Sequence, residues 1–246
     1  MSCLVKDIVE NLTALAPLNT AEEWDNCGLL VGDGNAVVNT VLVALDITPS
    51  VVDQAIALGA QMIVSHHPVI FAPIHALSAD SVPYRLAANG IAACCLHTCL
   101  DKAVGGVNDA LAACLGLENT VVAADAYTRI GTLKQPMETT AFIDFVENSL
   151  HTKVRFCGNR VVSRVAVVGG SGGDFVDGVL DAADAVITGE IKHHEWLAVQ
   201  NSGCVVVEAG HFATEHPVVD ALVAYLEKSD GLNVVKATET EPYVVK

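Results

Sequence analysis

The sequence has few charged residues, and basic residues are the scarcest. Only 17% of the 246 residues are charged, and 13 Lys and Arg stand against 29 Asp and Glu, which gives a formal net charge of -16. A surface of this sign repels polyanions, and no cluster of basic residues offsets it. The composition therefore argues against duplex nucleic acid as a partner.

Long hydrophobic runs and paired cysteines are also missing. No run approaches the ~18 apolar residues of a membrane helix, although 52% of the residues are hydrophobic. The eight cysteines form no C-x-x-C pair, which argues against a disulfide framework or a structural zinc site. We expect a compact, soluble, cytoplasmic protein with reduced thiols.

Apolar runs alternate with helical stretches along the chain. An apolar run at 41–46, a helical pattern at 49–60 and a second apolar run at 61–65 predict a strand, a helix and a parallel strand. The run at 91–96 repeats the pattern, and helical spacing at 4–15 stops before Pro17. The sequence therefore predicts an α/β fold.

The second half of the chain resembles the first. Val41 and Ile63 correspond to Val165 and Ile187, and the pattern His-x3-acid occurs once in each half. Because βαβ units resemble one another in any protein, this second pattern carries the argument. We predict two similar α/β halves from an internal duplication, 1–128 and 129–246, with a metal cleft between them and a C-terminal segment that packs back on the first half.

Histidines and carboxylates follow three of the predicted strands. Ligands in open α/β sheets bind at the carboxyl ends of strands. Imidazole and carboxylate suit a divalent transition metal, and more than four ligands suggests two ions. The groups after these strands are His66 and His67, His97 with Asp101, and His211 with Glu215.

The spacing of these groups suggests how they are used. Adjacent His66 and His67 diverge in an extended chain, so each can reach a different ion, and Glu215 can bridge the two. Pro217 fits the first turn of the following helix, which predicts Glu215 at a helix N-terminus and His211 in the loop before it, not a helical pair. Two divalent ions would draw an anionic substrate such as a phosphate.

Other polar groups leave alternatives open. His97 is either a metal ligand or a residue that orients a ligand or substrate. His193 and Glu195, at a predicted helix start, either line the cleft as acid/base groups or substrate contacts, or form a polar helix face. The glycine-rich segment 169–173 is either a tight turn or a phosphate-binding turn.

Several motifs in fixed order resemble one known family, the GTP cyclohydrolase 1 type 2 homologues, also called the NIF-three-like family. The resemblance extends from Trp24 to Tyr243. Its motifs are Trp24-Asp25-Asn26-x-Gly28, Ser65-His66-His67-Pro68, His97-x3-Asp101, Gly169-Gly170-Ser171-Gly172, Thr188-Gly189-Glu190 with His193-His194, and Gly210-His211-x3-Glu215.

The resemblance implies a site of two metal ions. Its ligands would be His66, His67, Asp101, His211 and Glu215, and it also implies a toroidal homohexamer built from dimers. At 246 residues the chain resembles the short form of the family, without the inserted domain. Cys27 stands where relatives commonly have an aliphatic residue.

Two functions remain as hypotheses. The first is a metal-dependent hydrolase of a nucleotide-like or phosphorylated small molecule, including opening of the GTP imidazole ring, with His97, His193 and Glu195 as candidate proton-transfer groups. The second is a protein that binds or delivers metal, or serves as an interaction scaffold, without catalysis. The ligand set accepts zinc, iron, manganese, cobalt or nickel.

Overall fold

The computed structural model describes residues 3–244, which form two compact units. The first unit contains 3–106 and 218–240, and the second contains 107–217 and 241–244. The sequence places the boundary between residues 128 and 129, whereas the chain enters the second unit at Val107. The chain enters the second unit this early because the helix Val107–Cys114 packs into the core of that unit. The chain later returns to the first unit, where the strand Asn233–Lys236 pairs in the sheet.

Short strands alternate with helices in both units. The strands are β1 (Cys3–Leu4), β2 (Gly28–Val31), β3 (Val37–Val38), β4 (Thr40–Ala44), β5 (Met62–Ser65), β6 (Ala92–Cys95), β7 (Glu118–Val122), β8 (Arg129–Met137), β9 (Arg155–Cys157), β10 (Val162–Val168), β11 (Ala185–Thr188), β12 (Val205–Glu208) and β13 (Asn233–Lys236). The helices are α1 (Val5–Leu15), α2 (Pro49–Leu58), α3 (Val82–Ala88), α4 (Thr98–Lys102), α5 (Val107–Cys114), α6 (Thr139–Leu150), α7 (Gly173–Val176), α8 (His193–Val199), α9 (His211–Glu215) and α10 (Pro217–Leu226), with 3-10 turns at Leu18–Thr20 and Asp177–Val179.

The sheet of the first unit has the order β13-β4-β5-β6-β2. Its strands are parallel except β2, which runs antiparallel to β6. Helices α2 and α3 cover one face, where Val52, Ala55 and Leu86 pack in one core with Leu42 and Ile63. The three central strands β4, β5 and β6 are buried along almost their whole length, as continuous apolar runs in a parallel sheet predict.

The sheet of the second unit has the order β7-β8-β10-β11-β12-β9, with β10, β11 and β12 parallel. Side chains on β10 alternate between two cores, as the period of a strand requires. Val165 and Val167 pack with α5 and α6, whereas Ala166 packs with α7 and α8. Helices therefore cover both faces of this sheet.

The two sheets share one arrangement. Each contains three parallel strands that are consecutive in the chain, and an antiparallel edge strand that precedes these three pairs with the last of them. The order β4-β5-β6-β2 therefore matches β10-β11-β12-β9. This repeat confirms the predicted α/β fold with two similar halves. Within residues 3–244, none of the helices has the length and apolar character needed to cross a bilayer.

Candidate metal site

In the first unit, three histidines lie together at one sheet edge. Strand β5 ends at Ser65, so His66 and His67 follow it, and His97 is the residue before α4. Because β5 and β6 are parallel neighbours, their carboxyl ends meet at the same edge. One ligand nitrogen from each histidine lies within 4.8 Å of the others, so this group could hold a metal ion. Asp101 Oδ1 lies 3.7 Å from His66 Nε2.

Each of these histidines is oriented by a hydrogen bond at Nδ1. Since carbonyl and carboxylate oxygens only accept, the Nδ1 atoms donate, and Nε2 is the atom able to coordinate a metal. The pairs are His66 with Leu96 O at 2.9 Å, His67 with Asp46 Oδ1 at 2.9 Å and His97 with Asp25 Oδ1 at 2.8 Å.

Asp25 links the loop before β2 to the end of the sheet where these three histidines lie. Its carboxylate accepts hydrogen bonds from Thr98 N at 3.0 Å and Thr98 Oγ1 at 2.5 Å, as well as from His97. Burial opposes its ionisation, but these hydrogen bonds outweigh burial and hold the pKa of Asp25 well below its usual range. Burial, aided by nearby His66, lowers the pKa of His97, while the bond to Asp25 opposes that shift.

Three thiols, those of Cys27, Cys95 and Cys99, lie together next to Asp25. Cys99 Sγ lies 3.7 Å from Cys27 Sγ, and hydrogen bonds from Cys95 and Cys99 lower the pKa of Cys27 to about 4. Burial raises the pKa of Cys95, and the bond to Cys27 together with burial raises the pKa of Cys99. Cys27 is 68 and 72 residues from its partners in the chain, so sequence spacing gives no sign of this cluster.

The second unit brings together His211 and Glu215. Gly210, with φ of 87°, turns the chain from β12 into α9, which begins at His211 and ends at Glu215. The prediction that these residues are not a helical pair is wrong, since His211 Nε2 lies 3.0 Å from Glu215 Oε2 across one turn. A five-residue helix is too short to leave a periodic pattern, and Pro217 opens the separate helix α10.

Glu190 orients His211, a role that the sequence does not predict. His211 Nδ1 lies 3.0 Å from Glu190 Oε1, and Ser171 Oγ donates to Glu190 Oε2 at 2.5 Å. The hydrogen bond from Ser171, followed by the interaction with His211, lowers the pKa of Glu190 despite partial burial. Two sequence signals mark Glu190, its place one glycine after the end of β11 and its membership of the motif Thr188-Gly189-Glu190, but neither indicates the contact with His211.

The glycine-rich turn after β10 packs against the same pair. Gly170 has φ of +63°, and a Cβ there would overlap Glu215 Oε1 and lie 3.3 Å from His211 Nε2. Although residues 169–173 have the spacing Gly-x-Ser-x-Gly, Ser171 donates to a carboxylate rather than to a histidine base. Gly170 therefore allows close packing against His211 and Glu215.

His193 and Glu195 lie at the start of α8, where the sequence predicts a helix start. Glu195 Oε2 accepts from Lys192 N at 2.7 Å and so caps the helix, while His193 is exposed. Acid/base roles for both residues stay predictions.

Together, the fold and these groups define an α/β protein with histidine and carboxylate clusters able to hold metal. The family model described as Duf34/NIF3 (NGG1p interacting factor 3) matches residues 3–242, and the chain belongs to this family. This confirms the resemblance found in the sequence.

Known relatives match along the whole chain. A Clostridium acetobutylicum protein named GTP cyclohydrolase 1 type 2 homolog is 32% identical, over 100% of both chains. A crystal structure of a Staphylococcus aureus hypothetical protein has a TM-score of 0.91 at 28% identity and covers 99% of each chain. A Bacillus cereus protein related to NIF3 has a TM-score of 0.93 at 24% identity, covering 100% of this chain and 99% of its own, which shows the fold.

Proposed function

We propose that this protein is a metal-dependent hydrolase of a nucleotide-like or phosphorylated small molecule and that it holds two divalent ions. In this proposal the first unit contributes His66, His67 and Asp101, and the second contributes His211 and Glu215. The cleft between the halves is part of the proposal.

The observation that carries the proposal is the fixed orientation of the histidines. His66, His67 and His211 each place Nδ1 on an oxygen, the arrangement in which metal-ligating histidines are usually held. Imidazole nitrogens and carboxylate oxygens form a donor set that fits zinc, iron, manganese, cobalt or nickel. Burial of His66 and Glu215 supplies a partly dry environment, in which charge interactions are strong.

Bound divalent ions would activate water as a nucleophile and stabilise negative charge that develops on the substrate. The chain's own part is to position groups for proton transfer. Asp25 fixes the His97 ring, so its Nε2 atom is presented beside His66 and His67 as a proton donor or acceptor. His193 and Glu195 are further candidates for this step.

The charge of such a site points to an anionic substrate. Two divalent ions would make a local positive region in a chain whose formal charge is -16, so phosphate groups would be drawn to it. The name of the Clostridium acetobutylicum relative makes GTP the first substrate to test.

Metal content per chain, measured on protein purified without chelator, tests the proposal. We expect about two ions per chain, and less metal in His66→Ala and Glu215→Ala. His75→Ala and His151→Ala, exposed histidines in the first and second units, are matched controls that should keep both ions. Near-zero metal that reconstitution cannot restore would overturn the metal site. Metal-loaded protein that turns over neither GTP nor phosphoesters would overturn the hydrolase.

One observation favours a second candidate, a metal-binding or metal-delivering protein without catalysis. Glu195 already caps α8 and lies 3.2 Å from Lys192 Nζ, so this carboxylate has a structural role. Under this alternative, His193→Ala and Glu195→Gln retain function, measured as metal transfer to a chelator. Loss of GTP or phosphoester turnover in both variants, with metal retained, would favour the hydrolase.

We also propose the homohexamer that the family resemblance implies. Sedimentation equilibrium should give a mass of six chains, and a monomer or dimer at all concentrations would contradict this assembly.

A further inference from the structure

Two large aromatic side chains lie exposed beside the histidines of the first unit. Trp24 is 61% exposed and Phe71 is 59% exposed. Trp24 lies in the loop before β2, and Phe71 lies in the loop after β5. Rings of this kind bury about 150–250 Å² when they are covered, so their exposure leaves a large apolar surface available to a ligand.

The two rings form an open wedge rather than a stacked pair. Their centroids are 5.9 Å apart and their planes are inclined by 53°. Each ring also meets His97 edge-on, with centroid distances of 6.1 Å for Trp24 and 6.2 Å for Phe71. A group held in this wedge therefore lies next to the histidine cluster.

Hydrogen bonds hold the wedge in place. Asn26 Nδ2 donates to Ile70 O at 2.6 Å, which joins the residues beside Trp24 to those beside Phe71. Asn26 N donates to Asp25 Oδ1 at 2.8 Å, and Asp25 is itself fixed by Thr98 and His97. Because the loops that carry the rings are positioned in advance, a ligand loses less free energy in ordering the site.

We propose that Trp24 and Phe71 form a stacking site for a planar heteroaromatic ring of the nucleobase class. A flat ring stacks on one side of the wedge and meets the other at its edge, an arrangement that aromatic rings favour. The inference rests on the proposed function and adds to it the residues that hold the ring of the substrate. The aromatic wedge recognises the ring, and the metal groups receive the anionic part of the same molecule.

Fluorescence of Trp24 provides the test. The chain has two tryptophans, so Trp196→Phe leaves Trp24 as the sole reporter. In metal-loaded Trp196→Phe protein, we expect GMP and AMP to quench this emission saturably, and ribose 5-phosphate, which has the anion without the base, to bind at least about tenfold more weakly. Phe71→Leu should weaken GMP binding about tenfold, whereas Tyr84→Leu, an exposed ring on α3, should not change it.

Three results would overturn the inference. The first is equal binding of GMP and ribose 5-phosphate, and the second is an unchanged affinity for GMP in Phe71→Leu. The third is Trp24 emission that changes with protein concentration and not with ligand concentration. That result would assign the wedge to contact with a second copy of the chain.

Metal content separates this inference from the proposed function. Phe71→Leu should keep the full metal content, because the ring contributes no ligand atom. If the Trp196→Phe protein binds no metal but GMP still quenches Trp24, the proposed function fails and the stacking site stands. If metal binds normally and neither GMP nor AMP quenches, the stacking site fails alone.

Discussion

The two units carry the same strand-to-helix element but use its side chains differently. In the first, Asp101 on α4 lies 3.7 Å from His66, which follows the neighbouring strand. In the second, Glu215 instead lies 3.0 Å from His211 on its own short helix. The same scaffold therefore places a carboxylate beside a histidine in two ways. The histidine follows a neighbouring strand in the first unit and lies one helical turn away in the second.

The residues that follow β5 and β11, the middle strands of β4-β5-β6 and β10-β11-β12, differ more between the two units. Strand β5 is followed by His66 and His67, whereas β11 is followed by Gly189 and Glu190. Glu190 accepts the hydrogen bond from His211 Nδ1, so the second unit uses this position to orient a histidine. The comparison teaches that the first unit offers more histidine nitrogens that could bind a metal, whereas the second packs and orients its groups tightly around one histidine.

The largest effect is expected from Gly170→Ala. The added Cβ would overlap the Glu215 carboxylate, and φ of +63° is unfavourable for alanine. We expect metal affinity to fall about 100-fold, measured by competition with a chromogenic chelator. Gly178→Ala is the matched control in the same unit, because a Cβ there meets no atom within 4 Å. Equal affinity of the two variants would contradict the packing account of the second unit.

A smaller effect is expected from Glu190→Gln. This change keeps the shape of the side chain but removes the charge that orients His211, so metal affinity should fall about 30-fold. The same chelator competition measures it, with a thermal melt to show that the variant is folded. An affinity within a factor of two of the wild type would mean that Glu190 does not position a ligand.

Asp46→Asn makes the corresponding change in the first unit and should have the smallest effect. Asp46 orients His67, but its side chain is 44% exposed and screened by water, so we expect a loss of about tenfold or less. A larger loss than in Glu190→Gln, in the same competition assay, would reverse the proposed difference between the units.

The sequence predicts the part of the site that depends on short-range order. Apolar runs locate β5, β6 and β12, and the histidines that follow them are at the carboxyl ends where parallel strands present ligands. The helix α1 also ends at Leu15, before Pro17, as the spacing predicts.

The rest depends on contacts between residues far apart in the chain. Asp25 lies 72 residues from His97, and Asp46 and Glu190 each lie 21 residues from the histidines that they orient. The periodicity of neighbouring residues in the sequence does not indicate contacts between residues this far apart. The single-turn helix α9 is missed for a different reason, since it spans too few residues to repeat a pattern.

Anomalous diffraction from crystals of the metal-loaded protein tests the central claim most directly. We expect two anomalous peaks per chain, about 3.5–4 Å apart, ligated by His66, His67, Asp101, His211 and Glu215. Peaks bound only to surface carboxylates, or crystals without a peak at these histidines after loading with each candidate metal, would contradict the account.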